Sequence, residues 1–152
     1  MTPPQVPSPP SPLIVVEDSR ADWETVALLL TEAGVKRSLV HYKNGEEALA
    51  YLKELKQKDS SYLPAHVLLD LNLPGVSGLE VLNRLKTDRY LSQIPVTVLT
   101  SSSHPRDIES CYRAGANSYL IKPIEFDRFE TMLRRFVEYW LDTVKLPESE
   151  VV

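Results

Sequence analysis

The chain has 152 residues, 43% of them hydrophobic and 25% charged, which suits one globular domain with a sizeable core. Its formal net charge of −4 argues against a nucleic-acid-binding surface, which needs clustered Lys and Arg. A single cysteine, Cys111, excludes an internal disulfide framework or a cysteine metal cage, and no apolar run reaches the roughly 18 residues of a membrane span.

Six of the 12 prolines stand in the opening MTPPQVPSPPSP. That stretch has no charged side chain and little to bury, which predicts a disordered or polyproline-II-like arm over 1–12. It has neither the basic start nor the apolar segment of a secretory signal, so a cytoplasmic, reducing location is expected.

From Leu13 the pattern alternates. LIVV (13–16) is a short apolar run ending at Glu17-Asp18, as a strand buried on both faces would. Ser19 with Asp22 reads as a capping box for a helix that ends at Gly34. SLVHY (38–42) predicts a second strand, and EEALAYLKEL after Asn44-Gly45 a second helix. HVLLD (66–70) is a third apolar run ending in an acid, followed by the loop LNLPGVSG (71–78) and a third helix, LEVLNRLK. PVTVLT (95–100) is a fourth strand, and Pro105 sits at the first turn of a helix running to Gly115. NSYLIK (117–122) is a fifth strand, closed by Pro123, and a long last helix covers about Glu125 to Thr143. One folded domain over 13–146 is expected, with a flexible tail at 147–152.

Five strand–helix units in a row imply a doubly wound parallel sheet, with ligands beyond the carboxyl ends of the strands. Those ends carry Glu17 and Asp18, then Asp70, then Thr100 with Ser101, then Lys122. Three carboxylates in one crevice repel each other unless a cation joins them. Mg²⁺ suits such oxygen ligands, Lys122 suits a phosphoryl anion, and a carboxylate can become an aspartyl phosphate.

These residues resemble the receiver domain of two-component response regulators. The acidic pair Glu17-Asp18, LLDLNLPGVSG (68–78), VLTSS (98–102) and SYLIKP (118–123) match receiver motifs in order, over about Leu13 to Trp140. The resemblance implies a flavodoxin-like, five-stranded sheet of order 2-1-3-4-5. It implies Asp70 as phosphoacceptor, and Mg²⁺ held by Asp18, Asp70, Glu17 and the backbone carbonyl of Asn72. It also implies Lys122, Thr100 and Ser101 around the phosphoryl group, Thr100 and Tyr119 as switch residues, and a cis Lys122–Pro123 peptide. The expected activity is not enzymatic: a histidine kinase phosphorylates the domain, which loses the group slowly.

The short acidic ending after the last helix predicts output by protein contact through the fourth helix, fifth strand and fifth helix. On the last helix, Phe129, Met132, Leu133, Phe136, Val137 and Trp140 form one apolar stripe. Phe126, Tyr139 and Leu141 lie outside it; with Trp140 they are expected to form a homodimer or partner surface. EYWLDTVKLP resembles single-domain regulators paired with bacterial phytochrome kinases. The alternatives are a phosphate shuttle or sink, or a Mg²⁺-dependent phosphatase with an aspartyl nucleophile. The phosphatase class places a second acid two residues after the nucleophile, where this chain has Asn72. His41, His66 and His104 show no metal spacing and read as structural or surface residues, and Cys111 as an inert thiol.

Overall fold

The structure, a computed structural model, describes residues 11–57 and 63–147. Most of the predicted arm and tail lies outside the described residues. Where the arm meets the domain it is tied down: Arg37 donates to the Ser11 carbonyl at 3.1 Å, and Ala65 N–H to that of Pro12 at 2.8 Å.

Strands β1 (Leu13–Val16), β2 (Leu39–Tyr42), β3 (His66–Leu69), β4 (Val96–Thr100) and β5 (Ser118–Ile121) alternate with five helices. These are α1 (Arg20–Glu32), α2 (Gly45–Gln57), α3 (Gly78–Thr87), α4 (Pro105–Arg113) and α5 (Phe126–Phe136). All strand pairs are parallel, in the order β2-β1-β3-β4-β5. Every residue of the three inner strands is buried, as their unbroken apolar runs required; the edge strands β2 and β5 are half-covered.

Alternate strand residues feed two cores. Ile14, Val16, Val67, Leu69, Val96 and Val98 meet Ala48, Leu52, Val81, Leu82, Leu85 and Cys111 from α2, α3 and α4. Leu13, Val15, Leu68 and Leu99 meet Val26, Leu29, Leu30, Phe129, Leu133 and Phe136 from α1 and α5. Each fully buried aliphatic side chain contributes roughly 1.5–3 kcal/mol. The two-sided sheet thus becomes a rigid frame whose carboxyl edge is its polar rim.

The last helix departs from its predicted form. α5 is α-helical only to Phe136 and continues as a π-helical segment over Val137–Thr143. Val144 N–H reaches the Tyr139 carbonyl at 2.8 Å, five residues back. The wider turn keeps Val137 buried and brings Trp140 against His66, with ring centroids 4.7 Å apart. His66 is fully buried rather than at the surface. Its Nε2 shares a hydrogen bond with Thr97 Oγ1 at 2.7 Å, and Thr97 Oγ1 shares one with Ser118 Oγ at 2.6 Å. Burial, and then the Lys86 charge, push the imidazole down to about 3, so it is neutral.

Candidate functional site

The parallel ladders carry the strand-end residues to one edge. Glu17 N–H donates to the Tyr42 carbonyl at 3.0 Å, Asp70 N–H to that of Val16 at 3.1 Å, and Lys122 N–H to that of Thr100 at 2.8 Å. Each residue is the first beyond its strand, and its backbone is fixed by the neighbouring one. The loop after Asp70 is held by Gly78, where a Cβ would collide with the Asp70 carbonyl oxygen. Gly78 N–H donates to the Leu71 carbonyl at 3.1 Å, closing the loop beneath Asp70.

Lys122 organises the edge. Its ammonium donates to Glu17 Oε2 at 3.0 Å, Asp70 Oδ2 at 3.0 Å and Asp22 Oδ2 at 2.9 Å. Burial works against a charged ammonium here, but the three carboxylates outweigh it and hold the Lys122 pKa above its ordinary value. Asp70 also accepts from Asn72 N–H at 3.2 Å. Burial alone would push the Asp70 carboxyl up. A hydrogen bond from Glu17, the Lys122 charge and the Asn72 N–H outweigh it, so Asp70 stays ionised. Glu17 takes the opposite side of that pairing. Burial and the adjacent Asp70 raise its carboxyl to about 8.

Oxygens of Glu17, Asp18 and Asp70 lie within 4.8 Å of one another. Two of these carboxylates are buried and one, Asp18, is open to solvent. A hard divalent cation is the group this donor set fits: all oxygens, excess negative charge, and one carboxyl forced to keep its proton without a cation. Thr100 is fully buried at the end of β4, and Ser101 beside it is exposed. Ser102 N–H donates to Thr100 Oγ1 at 3.4 Å. Tyr119 is half-buried and its hydroxyl donates to the Ser102 carbonyl at 2.9 Å, which links β5 to the loop after β4.

The structure brings Glu17, Asp18, Asp70, Asn72 and Lys122 into one cluster, while Thr100 and Ser101 stand at the end of β4 on the same edge, joined to it through the Thr100 carbonyl. Two sequence expectations are corrected. The Lys122–Pro123 peptide is trans, not cis, the form an X–Pro bond prefers by about 0.5–1 kcal/mol. The capping box is only half formed: Ser19 Oγ accepts from Asp22 N–H at 3.2 Å, but the Asp22 carboxylate turns to Lys122. Ser19 N–H is taken by Glu17 Oε1 at 3.3 Å instead. Asp22 is thus a site residue that the sequence reading missed; its signal was its place four residues after Asp18, one helical turn on. His41 is structural, one of the two roles its sequence context allowed. Its Nε2 is 2.8 Å from the Glu17 carbonyl, and its ring stacks on Trp23 at 4.2 Å.

The expected partner surface is mixed. Phe126 and Tyr139 are exposed, whereas Trp140 and Leu141 are half-buried against the core of α1 and α5. Ile121 and Ile124 beside them are exposed.

A sequence model of the response regulator receiver domain matches residues 13–134. The chain belongs to that family. The response regulator Rcp1 of a Synechocystis species is 36% identical over 142 residues, 93% of this chain and 97% of that one. The crystal structure of the Mn²⁺-bound form of Rcp1 superposes with a TM-score of 0.82 at 35% identity, covering 91% of this chain and 99% of that one. The phosphorylated cyanobacterial phytochrome response regulator RcpA gives 0.83 at 34% identity, with the same coverage. This receiver domain has the sheet order and the five helices that its motifs implied. Among the described residues, no helix is long and apolar enough to cross a membrane.

Proposed function

We propose that this receiver domain accepts a phosphoryl group on Asp70 from the phosphohistidine of a histidine kinase, and that the kinase is of the phytochrome type. One observation carries the reading: a single buried ammonium, Lys122, joins Asp70 and Glu17 at the edge where Asp18 completes a cation-binding set.

An Asp70 carboxylate oxygen attacks phosphorus as the N–P bond to the kinase histidine breaks, and the imidazole leaves with the bonding pair. The product is an acyl phosphate on Asp70. Glu17, Asp18, Asp70 and the Asn72 carbonyl would hold Mg²⁺, which supplies positive charge against the phosphoryl oxygens. Asp70 stands ready because it is ionised while Glu17 carries the proton. Lys122 is already charged and within 3.0 Å of Asp70, so it neutralises the arriving group without reorganisation. Thr100 and Ser101 flank the same edge. A phosphoryl group that draws the Thr100 hydroxyl would disturb the loop at Ser102, whose carbonyl Tyr119 holds. The signal would then reach α4, β5 and α5.

The likeness to Rcp1 and RcpA over more than nine-tenths of the chain supports the phytochrome pairing. Exposed Ile121, Ile124, Phe126 and Tyr139 support a homodimer or partner surface on β5 and α5. Radiolabel transfer from a phosphorylated kinase should load the chain, and Asp70→Asn should abolish it. Normal loading of that variant sinks the reading. Sedimentation with Mg²⁺ and a phosphoryl mimic should show a dimer; a monomer at high concentration in both states removes the dimer.

A further inference from the structure

Asp22 has no part in the cation-binding and phosphoacceptor roles proposed above. Its N–H is pinned by Ser19 Oγ in the first turn of α1, and its carboxylate reaches Lys122, 100 residues away in the chain. The ammonium has three protons, and Glu17, Asp70 and Asp22 take all three.

The three acceptors are not equivalent. Oxygens of Glu17 and Asp70 also belong to the set that fits a cation; Asp22 does not. The Glu17 and Asp70 side chains are 4% and 7% exposed, whereas that of Asp22 is 47% exposed at the rim. When a cation and a phosphoryl group claim Glu17 and Asp70, two of the three bonds to Lys122 lose their acceptors. The bond to Asp22 has no other claimant.

The geometry points to Asp22 as the positioning residue that keeps the Lys122 ammonium aimed at Asp70 once Glu17 and Asp70 are engaged. The inference rests on the phosphoacceptor reading above. The opposite role is also physically coherent: a fourth carboxylate could compete with the phosphoryl group for Lys122 and repel it. The two roles predict effects of opposite sign.

Calorimetric titration of the full chain with beryllium fluoride, a phosphoryl mimic, at saturating Mg²⁺ separates them. Asp22→Ala should weaken mimic binding about tenfold, the worth of one charge-assisted hydrogen bond. Asp22→Asn keeps an oxygen acceptor at the same size and should lose less, and Asp22→Glu should recover most of the affinity. Melting temperatures should stay unchanged, because the Asp22 side chain is half-exposed. In nitrogen-15 spectra, the Lys122 ammonium signal should survive mimic binding in the parent chain and broaden into solvent exchange in Asp22→Ala. Unchanged or tighter binding in Asp22→Ala overturns the proposal. Failure of the parent chain to bind the mimic, or undiminished binding by Lys122→Ala, instead overturns the phosphoacceptor reading and the proposal with it.

Discussion

At the carboxyl edge of the sheet Lys122 gathers Glu17, Asp22 and Asp70, while at the amino edge His66, Thr97 and Ser118 form an uncharged chain across β3, β4 and β5. Both edges bury polar atoms on one rigid frame. The amino edge keeps them neutral and seals them under Phe136 and Trp140, whose rings lie 4.9 and 4.7 Å from the His66 ring. The carboxyl edge carries charge on Lys122 and Asp70, and because one ammonium cannot neutralise all its carboxylates, Glu17 is left holding a proton. A neutral hydrogen-bonded chain pairs its buried polar atoms with one another and so stabilises the fold. An over-acidic edge is a stressed resting state that a divalent cation would relieve, and on the proposed function that cation and Lys122 would together meet the negative charge of an arriving phosphoryl group.

Removing the ammonium should break this contrast most severely. Lys122→Ala leaves Glu17 and Asp70 buried without a counter-ion, a change of about 3–5 kcal/mol. Urea unfolding at pH 8 with a chelator should show the loss, and added Mg²⁺ should recover part of it. A variant as stable as the parent would show that the ammonium is not what holds the carboxylates.

The two edges should also titrate in opposite senses. In the metal-free folded chain Glu17 keeps its proton up to about 8, against 4.5 unfolded. Between those values the folded state binds more protons, so its stability falls as pH rises. His66 takes a proton only below about 3 when folded, against 6.5 unfolded. Between those values the unfolded state binds more protons, so stability rises with pH. Each window spans on the order of 5 kcal/mol. The lowered Asp70 pKa acts in a more acidic window, below the ordinary carboxylate range. Chemical denaturation with chelator across pH 4 to 9 should therefore give a maximum. The two windows overlap between 4.5 and 6.5, where their slopes cancel, so Glu17→Gln should abolish the fall above about 6.5 and extend the rise up to that pH, and His66→Phe should abolish the rise below about 4.5 and start the fall there. A Glu17→Gln chain that still loses stability toward pH 8 would place the stress elsewhere.

How much of this was legible from the residues varies with the range of the interaction. The inner strands were legible because burial on both faces leaves an unbroken apolar run; Glu17 and Asp70 followed as the residues just past two of those runs, and Lys122 as the residue between the edge strand β5 and Pro123. Their convergence needs only the parallel arrangement. The Lys122–Asp22 bond was not legible, because Ser19 and Asp22 also fit a local capping pattern, and nothing local reveals a partner 100 residues away. The π-helical segment at Val137–Thr143 was hidden for a different reason. One residue more per turn barely alters the apolar stripe, and it is tertiary packing of Trp140 on His66 that accompanies it. His66 itself looks like any strand histidine until Thr97 is placed beside it.

Thr97→Val tests the amino edge alone. It removes the partner of His66 Nε2 and of Ser118 Oγ while keeping the β-branched shape. His66 Nδ1 has no partner already, so the ring would be left with none. The expected loss is about 1–3 kcal/mol. Phosphoryl uptake should be unchanged, since Lys122, Asp70 and Glu17 lie at the other end of the strands. A large loss of uptake at constant stability would mean the two edges are coupled through β4.

Tyr119→Phe should have the smallest effect on stability and the most local one. The hydroxyl makes one hydrogen bond, to the Ser102 carbonyl, and the ring is half-buried. Water can replace that donor, so the loss should be at most about 0.5–1.5 kcal/mol. The substitution touches neither the carboxylates nor Lys122, so mimic affinity should hold within about twofold, less than the worth of one hydrogen bond. What should change is the response beyond the site. In amide spectra, mimic-induced shifts from Ser102 to Asp107 should no longer be matched by shifts along β5. Matched shifts in the variant would mean that the signal crosses from β4 to β5 through the sheet ladder, where Lys122 N–H meets the Thr100 carbonyl, and not through the tyrosine hydroxyl.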